Sequence, residues 1–280
     1  MAKNAGQILV FLLVVVILWA GGACLLVYTV SHPPRETKKL DPADLLLRTE
    51  EVSFRTSDGV VLSGWLVKGA PRAPVILLCH DLGGSRSTLL SSAVSLNRAG
   101  YPLLVFDFRG HGESTGSGAT LGMNEARDIL AATEFLKTRA DIGSSRVGLW
   151  GIGMGAYAGA RAALDDPAIV ALALDSLYPD VATHLDRLAR SRVPPALRFL
   201  VPALGLIYKP FFSFRTSGAA LAGSLNRLVD RSVLLIAAAD PPDRFSEQQA
   251  LYEAIPEGPQ GSRNFLELKA SVVTGLYAED

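Results

Sequence analysis

The chain has 280 residues, 49% of them hydrophobic, and its 27 Lys and Arg balance its 27 Asp and Glu. That is too apolar for disorder and enough for a sizeable core, and the balanced charge gives no electrostatic basis for a nucleic-acid partner. The two cysteines, Cys24 in an apolar N-terminal run and Cys79 at the end of an apolar stretch, have neither metal-ligand spacing nor the setting of a disulfide.

Residues 8–30, from Ile8 to Val30, carry no charge. As a helix they span a hydrocarbon core of about 30 Å, and the run is longer than the apolar region of a cleaved signal peptide. We read residues 1–30 as an uncleaved, single-pass transmembrane anchor. Gly21-Gly22-Ala23-Cys24 faintly resembles a lipoprotein processing site, but the apolar run continues past it. Lys3 precedes the span while Arg35, Lys38 and Lys39 follow it, a bias that slightly favours a cytoplasmic main domain. Residues 31–48, with Pro33-Pro34 and Asp41-Pro42, read as a linker.

Residues 49–280 read as the folded domain. Glu51–Thr56 and Val60–Val67 alternate around Ser57-Asp58-Gly59, a hairpin signal. Val75–Cys79 is continuously apolar, as in a strand buried on both faces. Strands and helices then alternate. A helix is predicted over 86–98 and a strand over 103–108. A helix follows over 123–138, with apolar residues at 126, 130, 131, 135 and 136, then strands over 147–151 and 169–174. A strand over 233–239, a helix over 246–254 and a strand over 265–268 close the pattern. A hairpin followed by βαβα alternation specifies an α/β fold, a mostly parallel sheet with helices on both faces. Residues 177–231 break the rhythm, and an insertion of that length between late strands reads as a helical cap over the sheet's C-terminal edge, where such folds place their sites.

The centre of the chain is Gly151-Ile152-Gly153-Met154-Gly155-Ala156, which ends an apolar run and opens an Ala-rich helical segment. Two devices have this shape. One is the nucleophile elbow, G-x-S-x-G, which holds a serine above the sheet on a strained turn. The other is the dinucleotide fingerprint, G-x-G-x-x-G/A, with an acid about 20 residues on; Asp175, 22 residues after Gly153, stands at that distance. The segment matches the second as written, and the first except that Gly153 stands at the nucleophile position.

Three loops carry a family resemblance. His80-Asp81-Leu82-Gly83-Gly84-Ser85 resembles the H-G-x-G-G-S oxyanion loop of α/β-hydrolases. Asp107-Phe108-Arg109-Gly110-His111-Gly112-Glu113-Ser114 resembles the D-x-R-G-H-G-x-S loop of their serine aminopeptidase and monoacylglycerol-lipase-like branch, and the elbow follows both in order. The resemblance covers residues 50–275 and implies an α/β-hydrolase fold, a Ser-His-acid triad and two oxyanion-hole amides. The triad it implies is degenerate. Gly153 cannot attack, and the region expected to hold the histidine, 269–274, reads Lys-Ala-Ser-Val-Val-Thr; the chain's histidines are His32, His80, His111 and His184. The remnant acid is Asp240 or Asp243. The resemblance assigns the oxyanion amides to Leu82 and Met154, and loop-structuring roles to His80, Arg109 and His111. Relatives of this kind often carry their domain outside the membrane, which leaves the side open.

The expectation is therefore a membrane-anchored, hydrolase-like protein without serine-hydrolase activity. It needs no cofactor or metal and acts by binding a small apolar or acyl ligand or a protein partner. Two alternatives stand beside it: an active ester, amide or lipid hydrolase with a displaced nucleophile such as Ser176 or Ser271, and a dinucleotide-binding protein using Gly151–Ala156 and Asp175.

Overall fold

The structure, a computed structural model, describes residues 2–35, 41–142, 146–202, 221–238, 242–258 and 261–268. Its strands are β1 (Thr49–Arg55), β2 (Val61–Val67), β3 (Val75–Cys79), β4 (Leu103–Phe106), β5 (Val147–Ile152), β6 (Ile169–Asp175), β7 (Ser232–Ala238) and β8 (Arg263–Leu268). They form one sheet in the order β1-β2-β4-β3-β5-β6-β7-β8. The β1–β2 hairpin and the β2–β4 pair are antiparallel, and every pairing from β4 to β8 is parallel. The helices are α1 (Ala2–Ser31), α2 (Leu90–Arg98), α3 (Glu125–Lys137), α4 (Met154–Asp165), α5 (Val181–Arg192) and α6 (Pro242–Glu253).

The hairpin closes as its sequence requires. The Thr56 amide donates to the Val60 carbonyl at 2.9 Å, and Gly59 takes φ +88° in the turn, a conformation glycine adopts without penalty. The central strands are buried on both faces, which is why they are continuously apolar. Along β4, Leu104 and Phe106 join the larger core cluster with Ile129 of α3 and Ala156 of α4. Leu103 and Val105 join a second cluster with Leu90 and Ala93 of α2.

Helix α4 lies unusually close to the sheet. Its Met154, Ala156, Ala158, Ala160 and Ala162 have no exposure. A Cβ on Gly155 would fall onto the Cys79 carbonyl, so only glycine lets this helix reach β3. Beyond α2, the sheet face carries an apolar groove of about 320 Å³ lined by Leu96, Trp150, Ala173, Leu234 and Asn264 among others. It is made from the middles of strands, not from the loops at their C-terminal ends.

Several boundaries differ from the sequence reading. The predicted 86–98 helix opens as a 3-10 turn, Arg86–Leu89, with Ser85 Oγ accepting from the Ser87 amide at the cap; α2 proper begins at Leu90. Strand β4 stops at Phe106, because the Asp107 carboxylate turns aside to accept from the amides of Arg86 (2.7 Å) and Glu113 (3.0 Å). Helix α6 begins at Pro242 rather than at 246; proline is well suited to a first helical turn, where its missing N–H is not needed.

The insertion between β6 and β7 is helical where it is described. It contains α5, whose N-cap Asp180 accepts from the Thr183 amide at 2.8 Å, and 3-10 turns at Pro195–Leu200 and Leu221–Leu228; residues 203–220 lie outside the described residues. At the N-terminus, α1 is long and apolar enough to cross a membrane by length and composition.

Candidate functional site

The chain runs from β3 outward to β4 and returns on the other side to β5, so β3 and β5 flank a topological switch point. In open α/β sheets that crevice, at the strands' C-terminal ends, is where ligands bind. Here it is formed by the loop after Cys79 and the turn after Ile152.

Gly153 is the single residue between β5 and α4, with φ +51° and ψ −108°. This region is sterically costly for any residue with a side chain. Its amide donates to the Asp175 carbonyl at 2.9 Å, and its carbonyl accepts from the Tyr157 amide at 3.0 Å, closing the first turn of α4. The strained strand-turn-helix shape of a nucleophile elbow is thus present, with glycine at its apex.

The space above that glycine is filled by the chain itself. Asp81 Oδ1 accepts from the amides of Leu82 and Met154, each at 2.7 Å. A Cβ added to Gly153 would fall onto the Asp81 carboxylate. The two amides expected as oxyanion-hole donors do converge on one oxygen, but the oxygen belongs to a side chain of this protein. Burial pushes the Asp81 carboxyl above the usual carboxylate range, while the two amide bonds and the positive charge of Arg244 pull it back. Asp81 was not singled out in the sequence, although a signal was there: it occupies the second position of a loop whose resembling pattern has glycine.

A second carboxyl lies beneath the turn. Asp175 ends β6 at 3% exposure. Burial raises its pKa to about 6, the Ser176 hydrogen bond opposes the rise, and the nearby Asp81 charge adds to it. Ser176 adopts φ +57° and donates from Oγ to Asp175 Oδ1 at 2.9 Å. This acid sits where a dinucleotide fingerprint would need it, but the Met154 amide, which would face a pyrophosphate, is taken by Asp81, a group of like charge to the phosphates.

His80 and His111 are committed to structure. His80 Nδ1 pairs with the Asp81 carbonyl at 2.7 Å and Nε2 accepts from the Phe108 amide at 3.1 Å. His111 Nδ1 pairs with the Arg109 carbonyl at 2.9 Å and Nε2 accepts from the Gly83 amide at 3.1 Å. Each arrangement calls for the neutral ring with its proton on Nδ1. Burial lowers both pKa values, His80 to about 3. His184, on α5, stacks on Tyr178 with centroids 4.1 Å apart and is lowered to about 3 by burial and by Arg187 and Arg244.

Arg109 braces the loop rather than facing the turn. Its guanidinium donates to Asp128 of α3 (Nε 2.9 Å, Nη2 2.6 Å) and to Asp58 of the hairpin turn (Nη1 2.7 Å, Nη2 3.1 Å). Asp128 has no exposure; burial raises its pKa, against the pull of Arg109. Arg86, stacked over the Trp65 ring at 4.3 Å, ties Glu51 (3.0 Å) to Glu113 (2.5 Å) in the same way. Asp240 and Ser271 lie outside the described residues; Asp243 is in the first turn of α6, and its side chain is outside them. Among the described residues no cluster of His, Cys, Asp or Glu could hold a metal ion.

The fold and the elbow define a hydrolase-type scaffold, and comparison with known proteins agrees. A family model described as the alpha/beta hydrolase fold matches residues 74–201. The chain is 29% identical over 171 residues to an uncharacterized protein of Mycobacterium tuberculosis, Rv2307c, covering 60% of this chain and 58% of that one. It is 34% identical over 125 residues to the thiohydrolase apmlB of Arthrinium phaeospermum, covering 43% of this chain and 40% of that one. It thus spans less than two-thirds of these relatives' length. Among solved structures it resembles the esterase Pf2001 of Pyrococcus furiosus, with a TM-score of 0.69, 26% identity, and coverage of 87% of this chain and 91% of that one. The chain has the α/β-hydrolase fold.

Proposed function

We propose that this chain is a membrane-anchored α/β-hydrolase-fold protein of the serine aminopeptidase and monoacylglycerol-lipase-like type that no longer performs serine hydrolysis and acts by binding a ligand or a partner. One observation carries the reading: the Asp81 carboxylate occupies both the oxyanion-hole amides and the space above Gly153. Serine hydrolysis needs an attacking hydroxyl, a base and two amides free for the developing oxyanion. Here the attacking position has no side chain, the two amides are bonded, and the rings of His80 and His111 are engaged elsewhere. The similar proteins include one named an esterase and one named a thiohydrolase, and these names support an acyl or other small apolar ligand for the crevice. The long apolar α1 supports the anchor.

A second reading rests on Ser176, whose positive φ and hydrogen bond to a carboxyl of raised pKa are features of an activated hydroxyl. Treatment of the full-length protein with a fluorophosphonate probe, followed by adduct mapping, separates the two. The binding reading expects no adduct. An adduct on Ser176 would establish the displaced nucleophile, and an adduct on any serine would overturn the first reading.

A further inference from the structure

The N-terminal helix is a docked element of the domain as well as an apolar span. From Ile8 to Leu18 its large side chains are all at least 45% exposed. Those 11 residues rise about 16 Å, roughly half of a hydrocarbon core of about 30 Å. From Trp19 onward one stripe is covered. Trp19 packs against the main core cluster, and Ala23 and Val27 are members of it; Ser31 is 2% exposed. The four-residue spacing puts these side chains on one helix face, while Leu25 and Tyr28, off that face, remain 63% and 60% exposed.

The helix end is then tied to the loops that frame the crevice. The Ser31 carbonyl accepts from the Ala119 amide at 2.6 Å. Arg35 donates to the carbonyls of Gly112 (3.0 Å) and Gly116 (3.4 Å). Gly118 takes φ +94°, and a Cβ there would lie 2.8 Å from the Ser31 carbonyl. Pro33 reaches within 3.7 Å of the Cβ position of Gly83, two residues from Asp81.

The geometry points to a domain that sits sunk in one membrane leaflet, with the docked face of α1 at acyl-chain depth and the 31–35 strap and the 112–118 loop at the headgroups. This rests on the membrane-anchored reading above. A helix that spans with residues 8–30 needs its last 12 residues, about 18 Å, inside hydrocarbon, and along that length it carries the domain with it. The only surface that can lie there is one that tolerates lipid. An acyl-chain ligand would then reach the crevice from the leaflet without crossing water.

The test uses the full chain in phosphatidylcholine–phosphatidylglycerol nanodiscs with single nitroxide labels in a Cys24→Ser background, Cys79 being fully buried. Labels go at V14C in the free part of α1, at S117C in the strapped loop, and at D165C at the end of α4. Collision with oxygen and with a water-soluble nickel chelate reads depth. The expected result is hydrocarbon depth at 14, nickel access at 117 between that at 14 and that at 165, and free nickel access at 165. Hydrocarbon depth at 14 with nickel access at 117 as free as at 165 overturns the sunken domain and leaves the anchor standing. Free nickel access at 14 overturns the anchor and the inference together.

Discussion

The carboxylate of Asp81 stands where a side chain on Gly153 would have to begin. The two residues are 72 positions apart in sequence, yet the side chain of one leaves no room for a side chain on the other. With glycine at 81 the two amides would open to the crevice; with serine at 153 the carboxylate would lose its room. The pair makes an α/β-hydrolase-type scaffold in which the amides of Leu82 and Met154 are held by a carboxyl group of the chain itself.

Restoring serine alone should therefore fail. Gly153→Ser places a side chain at φ +51° and against a carboxylate, and we expect a loss of about 2–4 kcal/mol in unfolding free energy. Asp81→Gly leaves the Leu82 and Met154 amides to water and should cost about 1–3 kcal/mol. The double variant should be more stable than the sum of the two predicts, by about 1–3 kcal/mol. Urea unfolding of the four proteins in one detergent measures this, and strict additivity would refute the clash between the two side chains.

Asp175 predicts a pH dependence. Its carboxyl binds a proton more tightly in the folded protein, about 6, than at its ordinary 3.8. Between about pH 4 and 6 the folded state therefore holds more protons than the unfolded one, and this group's contribution falls as pH rises through that window. The difference corresponds to about 3 kcal/mol at most. Asp175→Asn keeps an acceptor for Ser176 and removes the charge. The variant should gain stability over the native protein at pH 7, and the gain should vanish below pH 4. Melting temperatures across pH 4–8 test it, and a gain that persists at pH 4 would assign the effect to something other than ionisation.

Arg109 should matter to the fold more than to any ligand. Arg109→Ala leaves Asp128 buried without its cation, a change that costs about 3–5 kcal/mol. Arg109→Lys cannot reproduce the fork that joins Asp128 to Asp58 and should recover only part. Unfolding midpoints give the ranking native, lysine, alanine; a lysine variant as stable as the native protein would remove the bracing role.

Gly155→Ala tests the close seat of α4. Its Cβ would meet the Cys79 carbonyl, forcing the helix off β3, with an expected loss of about 2–4 kcal/mol. Exchange protection of the Tyr157 amide, which donates to Gly153, should fall with it.

Much of this protein is legible from residue order. The hairpin around Asp58-Gly59, the apolar β3 and β5, the glycine turn at 153 and the loops at His80 and Arg109 depend on periodicity and turn chemistry, which act over a few residues. Those local patterns determined the α/β architecture and the absence of a side chain at the elbow's apex. What they could not determine was what fills the space above Gly153, or where the N-terminal helix lies. Sheet order brings the loop after β3 against the turn after β5, and only then do the amides of Leu82 and Met154 meet one carboxylate oxygen. The same assembly sets Ser31 and Arg35 on the 112–119 loop. Contacts across a switch point join segments distant in sequence, and hydrogen-bond partners chosen that way leave no period to read; the packed sheet alone decided them.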